Sequence, residues 1–185
     1  MIRVKKWWIP LLLGALLMAT LVGVVWARPN ARPLAAATTK RITIPAGWFH
    51  PTREGADWTN GGGEITSNKD EESQFFIAPV VFPSAGQTFT VEKMALYAYD
   101  QNGGLGNYDA CVSLYKTNPG AGSDVKMAGA CSTGSSTTDP RTFTETTIKY
   151  NPVTTARGAY LWLTIEDDTN LDVYGVRIWY HKGSP

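Results

Sequence analysis

The sequence predicts an all-β, antiparallel two-sheet sandwich of jelly-roll-like type, preceded by an N-terminal hydrophobic signal or anchor helix. Three observations predict it. From Arg41 onward, apolar residues come in short runs rich in β-branched and aromatic side chains, broken by Gly, Pro, Asn and Asp. No long stretch there keeps a helical period. The runs recur at even spacing with turn residues between them, as sandwiches and jelly rolls require.

The first element is "MIRVKKWWIPLLLGALLMATLVGVVWA", residues 1–27. Arg3, Lys5 and Lys6 form a basic start, and an uncharged run follows from Trp7 to Ala27. "VWA" before Arg28 has the small and apolar residues a signal peptidase reads, and Ala35-Ala36-Ala37 offers a second site. About twenty apolar residues also span a bilayer, so the segment reads as a signal peptide or as an uncleaved membrane anchor. The basic end stays cytoplasmic in both cases. Residues 28–39, "RPNARPLAAATT", form a Pro/Ala-rich linker, and 40–185 form the domain. The chain is expected outside the cell or in its envelope, and touches a membrane only if the N-terminal segment is retained.

The whole chain carries 17 basic and 16 acidic residues. Cleavage before Arg28 removes three cations and leaves a net charge of −2; cleavage before Thr38 leaves −4. So mild an acidic balance exerts no long-range pull on nucleic acid, which is excluded as a partner. Cys111 and Cys131 are the two cysteines. In an exported chain they are expected to pair, closing a loop of about 20 residues worth roughly 3 kcal/mol. Two cysteines alone are too few soft ligands for a metal site.

Strands are predicted over 41–45, 64–67, 73–82, 87–99, 108–116, 125–131, 142–150, 158–166 and 172–181, with a long irregular excursion over 46–72. "QFFIAPVVFP" is apolar at both parities, so it is either buried on both sides or bulged at Pro79. Alternation turns Ala110, Val112 and Leu114 inward and Cys111, Ser113 and Tyr115 outward. The last two runs, "GAYLWLTIE" and "DVYGVRIWY", read as a hairpin across a four-residue loop. That register sets Leu163 opposite Tyr174, Leu161 opposite Val176 and Ala159 opposite Ile178 on a core-facing side. The other side then pairs Trp162 with Gly175 and Tyr160 with Arg177, with Trp179 beyond, and sets Arg177 up for a cation–π contact.

Chemical motifs are few. In "DQNGGLGNYD", Asp100, Asn102 and Asp109 are weak metal candidates. A helix–loop–helix calcium loop needs Gly at its sixth position and Glu at its twelfth, and Leu105 and Cys111 stand there instead. The loop reads as a turn rich in residues that tolerate positive φ. Glu166, Asp167 and Asp168 sit at a solvated hairpin tip, with no apolar wall to raise a carboxyl pKa. His50 and His181 lack a third ligand at metal-binding spacing. No nucleophile elbow, zincin motif or phosphate loop is present. No cofactor is implied, and no enzyme is expected.

Aromatic residues carry the stronger signal. Tyr160, Trp162 and Trp179 around Arg177, with Trp58 in the excursion, form a candidate ligand-binding face. Aromatic faces stack on the apolar faces of sugar rings, although aromatics also fill strands for packing alone.

Three segments, "RITIPAGWFHP", "TFTVEKMALYAYDQNG" and "LDVYGVRIWYH", resemble the strands of uncharacterised secreted bacterial β-sandwich domains. Those open on Ile-x-Ile-Pro, carry a central strand ending in Tyr-x-Tyr-Asp, and close on Val-x-Ile-x-Tyr. The resemblance implies a jelly-roll-like sandwich outside the cell and no catalytic residue. Together these readings give a non-enzymatic domain with a structural, assembly or surface role, self-associating or meeting an envelope component. The alternatives are a carbohydrate-binding module and, third, an exported hydrolase with Asp and Glu across a cleft.

Overall fold

The structure, a computed structural model, describes residues 38–54, 56–61, 63–67, 73–84, 86–100, 110–117, 123–133, 139–154, 158–166 and 171–183. The expected signal or anchor, most of the linker, Asn102, Asp109, Asp167 and Asp168 lie outside the described residues. Among the described residues no helix is long and apolar enough to cross a membrane.

Among the described residues twelve strands follow one another: β1 Lys40–Pro45, β2 His50–Pro51, β3 Trp58–Asn60, β4 Ile65–Ser67, β5 Gln74–Val80, β6 Thr88–Asp100, β7 Ala110–Lys116, β8 Val125–Cys131, β9 Arg141–Glu145, β10 Val153–Thr154, β11 Ala159–Ile165 and β12 Leu171–Lys182. A 3-10 turn, Ala46–Trp48, follows β1. The eight longer strands form two antiparallel layers, β1-β12-β6-β9 and β5-β11-β7-β8. Short β4 and β3 continue the first layer beside β12, β10 pairs with β6, and β2 edges the second layer. Among the eight, only β7 and β8 are successive in sequence and paired in one sheet. Every other step crosses between layers. That order is the doubled Greek key of a jelly roll.

The core lies between the layers and follows strand alternation. Phe76, Ala78 and Val80 of β5, Leu161, Leu163 and Ile165 of β11, and Val112 and Leu114 of β7 point inward. Met94 and Leu96 of β6 and Val176 and Ile178 of β12 meet them from the other layer. The predicted inward set on β7 and β11 is the one found.

Two expectations are corrected. β11 and β12 do not form a hairpin. β11 lies between β5 and β7, whereas β12 lies in the other sheet between β6 and the pair β1 and β4. The connection carries the chain across the sandwich. Alternation fixes which side chains share a strand face, but it does not choose the neighbouring strand. Pro79 marks no bulge either, since β5 keeps regular register against β11 through Ala159 opposite Val80. Pro79 is exposed and lies beyond the reach of β2, whose pairing covers Phe76 and Ile77, so its missing N–H faces an open edge.

The bulges lie in the other sheet. The β6–β12 register shifts at Tyr174 and again at Glu92. Near the second shift, the Asn151 side chain stands in for a strand: Asn151 Nδ2 donates to the Val91 carbonyl at 2.8 Å, and Val91 N–H donates to Asn151 Oδ1 at 3.1 Å.

Candidate functional site

With Ala159, Leu161, Leu163 and Ile165 turned inward, β11 presents Tyr160, Trp162 and Thr164 on the outer face of the five-stranded sheet. Cross-strand partners extend them into three rows. Tyr160 lies between Pro79 and Tyr115, Trp162 between Ile77 and Ser113, and Thr164 between Phe75 and Cys111. Tyr115 and Tyr160 stack with ring centroids 5.3 Å apart and planes 10° from parallel. Phe75 leans on Trp162 at 5.9 Å, and the Arg53 guanidinium stands 5.2 Å from the Phe75 ring. The four rings form two contacting pairs in adjacent rows of one face, and all are partly exposed.

One end of this face is polar. Tyr160 Oη donates to Asp124 Oδ2 at 2.8 Å. Burial, then the hydrogen bond and charge of Asp124, push the Tyr160 phenol up to about 12. Tyr160 is therefore a proton donor throughout the physiological range. At the other end, Cys111 and Cys131 stand directly opposite on β7 and β8 and are joined by a disulfide, as expected.

The remaining predicted residues lie elsewhere. Arg177 and Trp179 point outward from β12 on the opposite side of the sandwich, so they do not meet Tyr160 or Trp162. Arg177 does make cation–π contacts, but with Tyr97 at 4.9 Å and Trp179 at 5.8 Å. Trp58 meets the core residue Phe76 edge-on at 5.7 Å and packs against the core. Asp100, expected in a surface loop, ends β6 on the core side and is 1% exposed. Among the described residues no group of three His, Cys, Asp or Glu could hold a metal ion. His50 and His181 lie in different sheets, and His181 Nδ1 meets Glu92 Oε1 at 2.7 Å.

Sequence reasoning left out Phe75 and Tyr115. Tyr115 already faced outward by alternation, and the doubly apolar β5 run required some rings to face out. What was missing was the adjacency of β5, β11 and β7.

Two adjoining hollows of about 680 and 530 Å³ run along the opening between edge strands β8 and β9. Asp124 and Glu145 both line the larger one. The backbone N–H of Thr147 holds the Glu145 carboxyl below its usual range. That is opposite to what a proton-donating carboxyl in a glycoside-cleaving pair requires.

No family model matches the chain, and no curated protein matches it. Solved structures similar to it include a xylan-binding module, CBM15, with a TM-score of 0.47, 12% identity, and 76% of this chain and 96% of that one covered. Another is the C-terminal CBM6 of LamC, a marine laminarinase from Zobellia galactanivorans, with a TM-score of 0.44, 11% identity, and 75% and 98% covered. A third is the N-terminal CBM22-1–CBM22-2 tandem domain from Paenibacillus barcinonensis Xyn10C, with a TM-score of 0.46, 12% identity, and 86% and 53% covered.

Proposed function

We propose that the protein is an exported, non-enzymatic module that binds carbohydrate on the outer face of its five-stranded sheet. One observation carries this reading: Tyr115 with Tyr160, and Phe75 with Trp162, form two partly exposed ring pairs in adjacent rows of one sheet face. Polar groups are spaced along it. Asp124 holds the Tyr160 hydroxyl, Ser113 and Thr164 are row neighbours, and Arg53 caps Phe75. A sugar needs that mixture of ring faces for its C–H surface and fixed hydrogen-bonding groups for its hydroxyls. The structural or assembly role expected from the sequence calls instead for a broad apolar centre. The disulfide supports export, because such bonds persist in oxidising compartments.

A glycan array on the wild-type protein, followed by calorimetry on any ligand found, tests the reading. Trp162→Ala is expected to cost roughly 2 kcal/mol of binding, about 30-fold in Kd, as a central aromatic anchor does. Tyr160→Phe keeps the ring and is expected to lose less. Both variants should keep the wild-type denaturation midpoint. A blank array for the wild type would sink the proposal.

A further inference from the structure

The outer face of the seven-stranded sheet carries a different chemistry. Across β1, β12 and β6, one row reads Arg41, Trp179, Lys93. The next row reads Thr43, Arg177, Ala95, with Tyr97 two residues along β6. Lys93 Nζ lies 4.0 Å from the Trp179 ring centre, and Arg177 lies between Tyr97 and Trp179. Cations and rings therefore alternate over three adjacent strands. The rings hold the cationic heads in place and leave their donors for a ligand.

These charges are not neutralised locally. Among the described residues no carboxylate pairs with Arg41, Lys93 or Arg177; Arg177 Nε is buried and has no hydrogen-bond partner, so the terminal guanidinium nitrogens are the ones left to meet a ligand. Glu92, the acidic residue next to Lys93, is engaged by His181 and by the Thr39 hydroxyl. Two ring-seated cations with Arg41 exposed beside them, on a chain of 17 basic and 16 acidic residues, are a local feature with no large excess of positive charge behind it.

We infer that this face binds an acidic polysaccharide, its carboxylates meeting Lys93, Arg177 and Arg41. Charge complementarity selects the anion, and the planar fork of Arg177 suits a carboxylate. A lipid surface fits less well. Membrane-seated faces present apolar side chains for insertion. The large exposed hydrophobics Trp48, Val81 and Tyr150 stand beyond β1, β5 and β9, off this ladder. The inference is independent of the carbohydrate-binding reading of the opposite sheet.

The test uses protein produced from the full chain and three probes: polygalacturonate, the same polymer fully methyl-esterified, and phosphatidylserine vesicles. The expected result is retention by polygalacturonate at low salt, weakening steeply as salt rises, with no retention by the esterified polymer. The double variant Lys93→Gln with Arg177→Gln should lose at least about tenfold in affinity and flatten the salt dependence. Its denaturation midpoint reports whether it is folded. If Arg177→Gln fails to fold, Lys93→Gln alone should lose about threefold, and Arg177→Lys, which keeps the charge but not the fork, should lose affinity as well. Equal retention by the esterified polymer, undiminished binding by the folded double variant, or binding to vesicles alone overturns the inference. Glycan binding left undiminished by Trp162→Ala but lost in the double variant would overturn the earlier proposal and leave this one intact.

Discussion

Gly175 shows how much one residue can reflect packing that its own strand does not reveal. Its φ is +146°, and a Cβ built there would lie 2.5 Å from the Ile44 carbonyl oxygen. The sequence suggested that Trp162 covers this glycine. The structure puts β1 against it, with Pro45 as its row partner. Gly175→Ala is therefore expected to cost about 2–4 kcal/mol, through a strained backbone and a displaced edge strand, measured as a lower midpoint in chemical denaturation. Tyr160 offers a second residue-level check. Its phenol titrates at about 12 when folded and ordinarily near 10. A raised folded value means that the folded state holds its proton more tightly. The associated stability is therefore complete below pH 10 and falls as pH rises through 12. Asp124→Asn should move the tyrosinate absorbance transition down towards the ordinary value, leaving the part due to burial.

At the scale of elements, the nine predicted strands all exist, because period-two alternation is written locally. β2, β3 and β10 were not legible: each has two or three residues, β2 and β10 exist because a longer neighbour offers a free edge, and β3 pairs with the equally short β4. β9 shows the same cause from the other side. "TFTETTIKY" stays rich in β-branched and aromatic residues to its end, yet β9 stops at Glu145. Beyond Met94, the β6 edge that β9 would have followed is taken by the Asn151 amide and then by β10. The candidate site was half legible for the same reason. Tyr160 and Trp162 were placed on one face correctly, while Arg177 and Trp179 were brought to them through a hairpin that does not form. The disulfide was legible from cysteine count and export. With a separation of 20 residues, replacing Cys111 and Cys131 by Ser is expected to cost about 3 kcal/mol, read as a lower denaturation midpoint in non-reducing buffer.

For the whole molecule, the two layers face their outer surfaces in opposite directions, one lined with aromatic rings and the other with ring-seated cations. This division follows from the crossing between β11 and β12, which no local pattern encodes. Closure of the larger sheet is also a property of the entire chain. β1 pairs with β12 from Lys40 opposite Tyr180 to Pro45 opposite Gly175. A chain ended after Leu171 is expected to show no cooperative unfolding transition by circular dichroism, since it loses the strand to which β1, β4 and β6 all bind.

The pairing of the first long strand with the last has a consequence for biosynthesis. While the nascent chain is being made, β1 has no partner, and it acquires one only when residues near Tyr180 emerge. The sandwich therefore cannot close during elongation, and a chain whose closing contacts span nearly its full length folds slowly. For the export proposed above, that delay would leave the polypeptide threadable, with native sheet closure, and the locking of Cys111 to Cys131 within it, coming only after transfer.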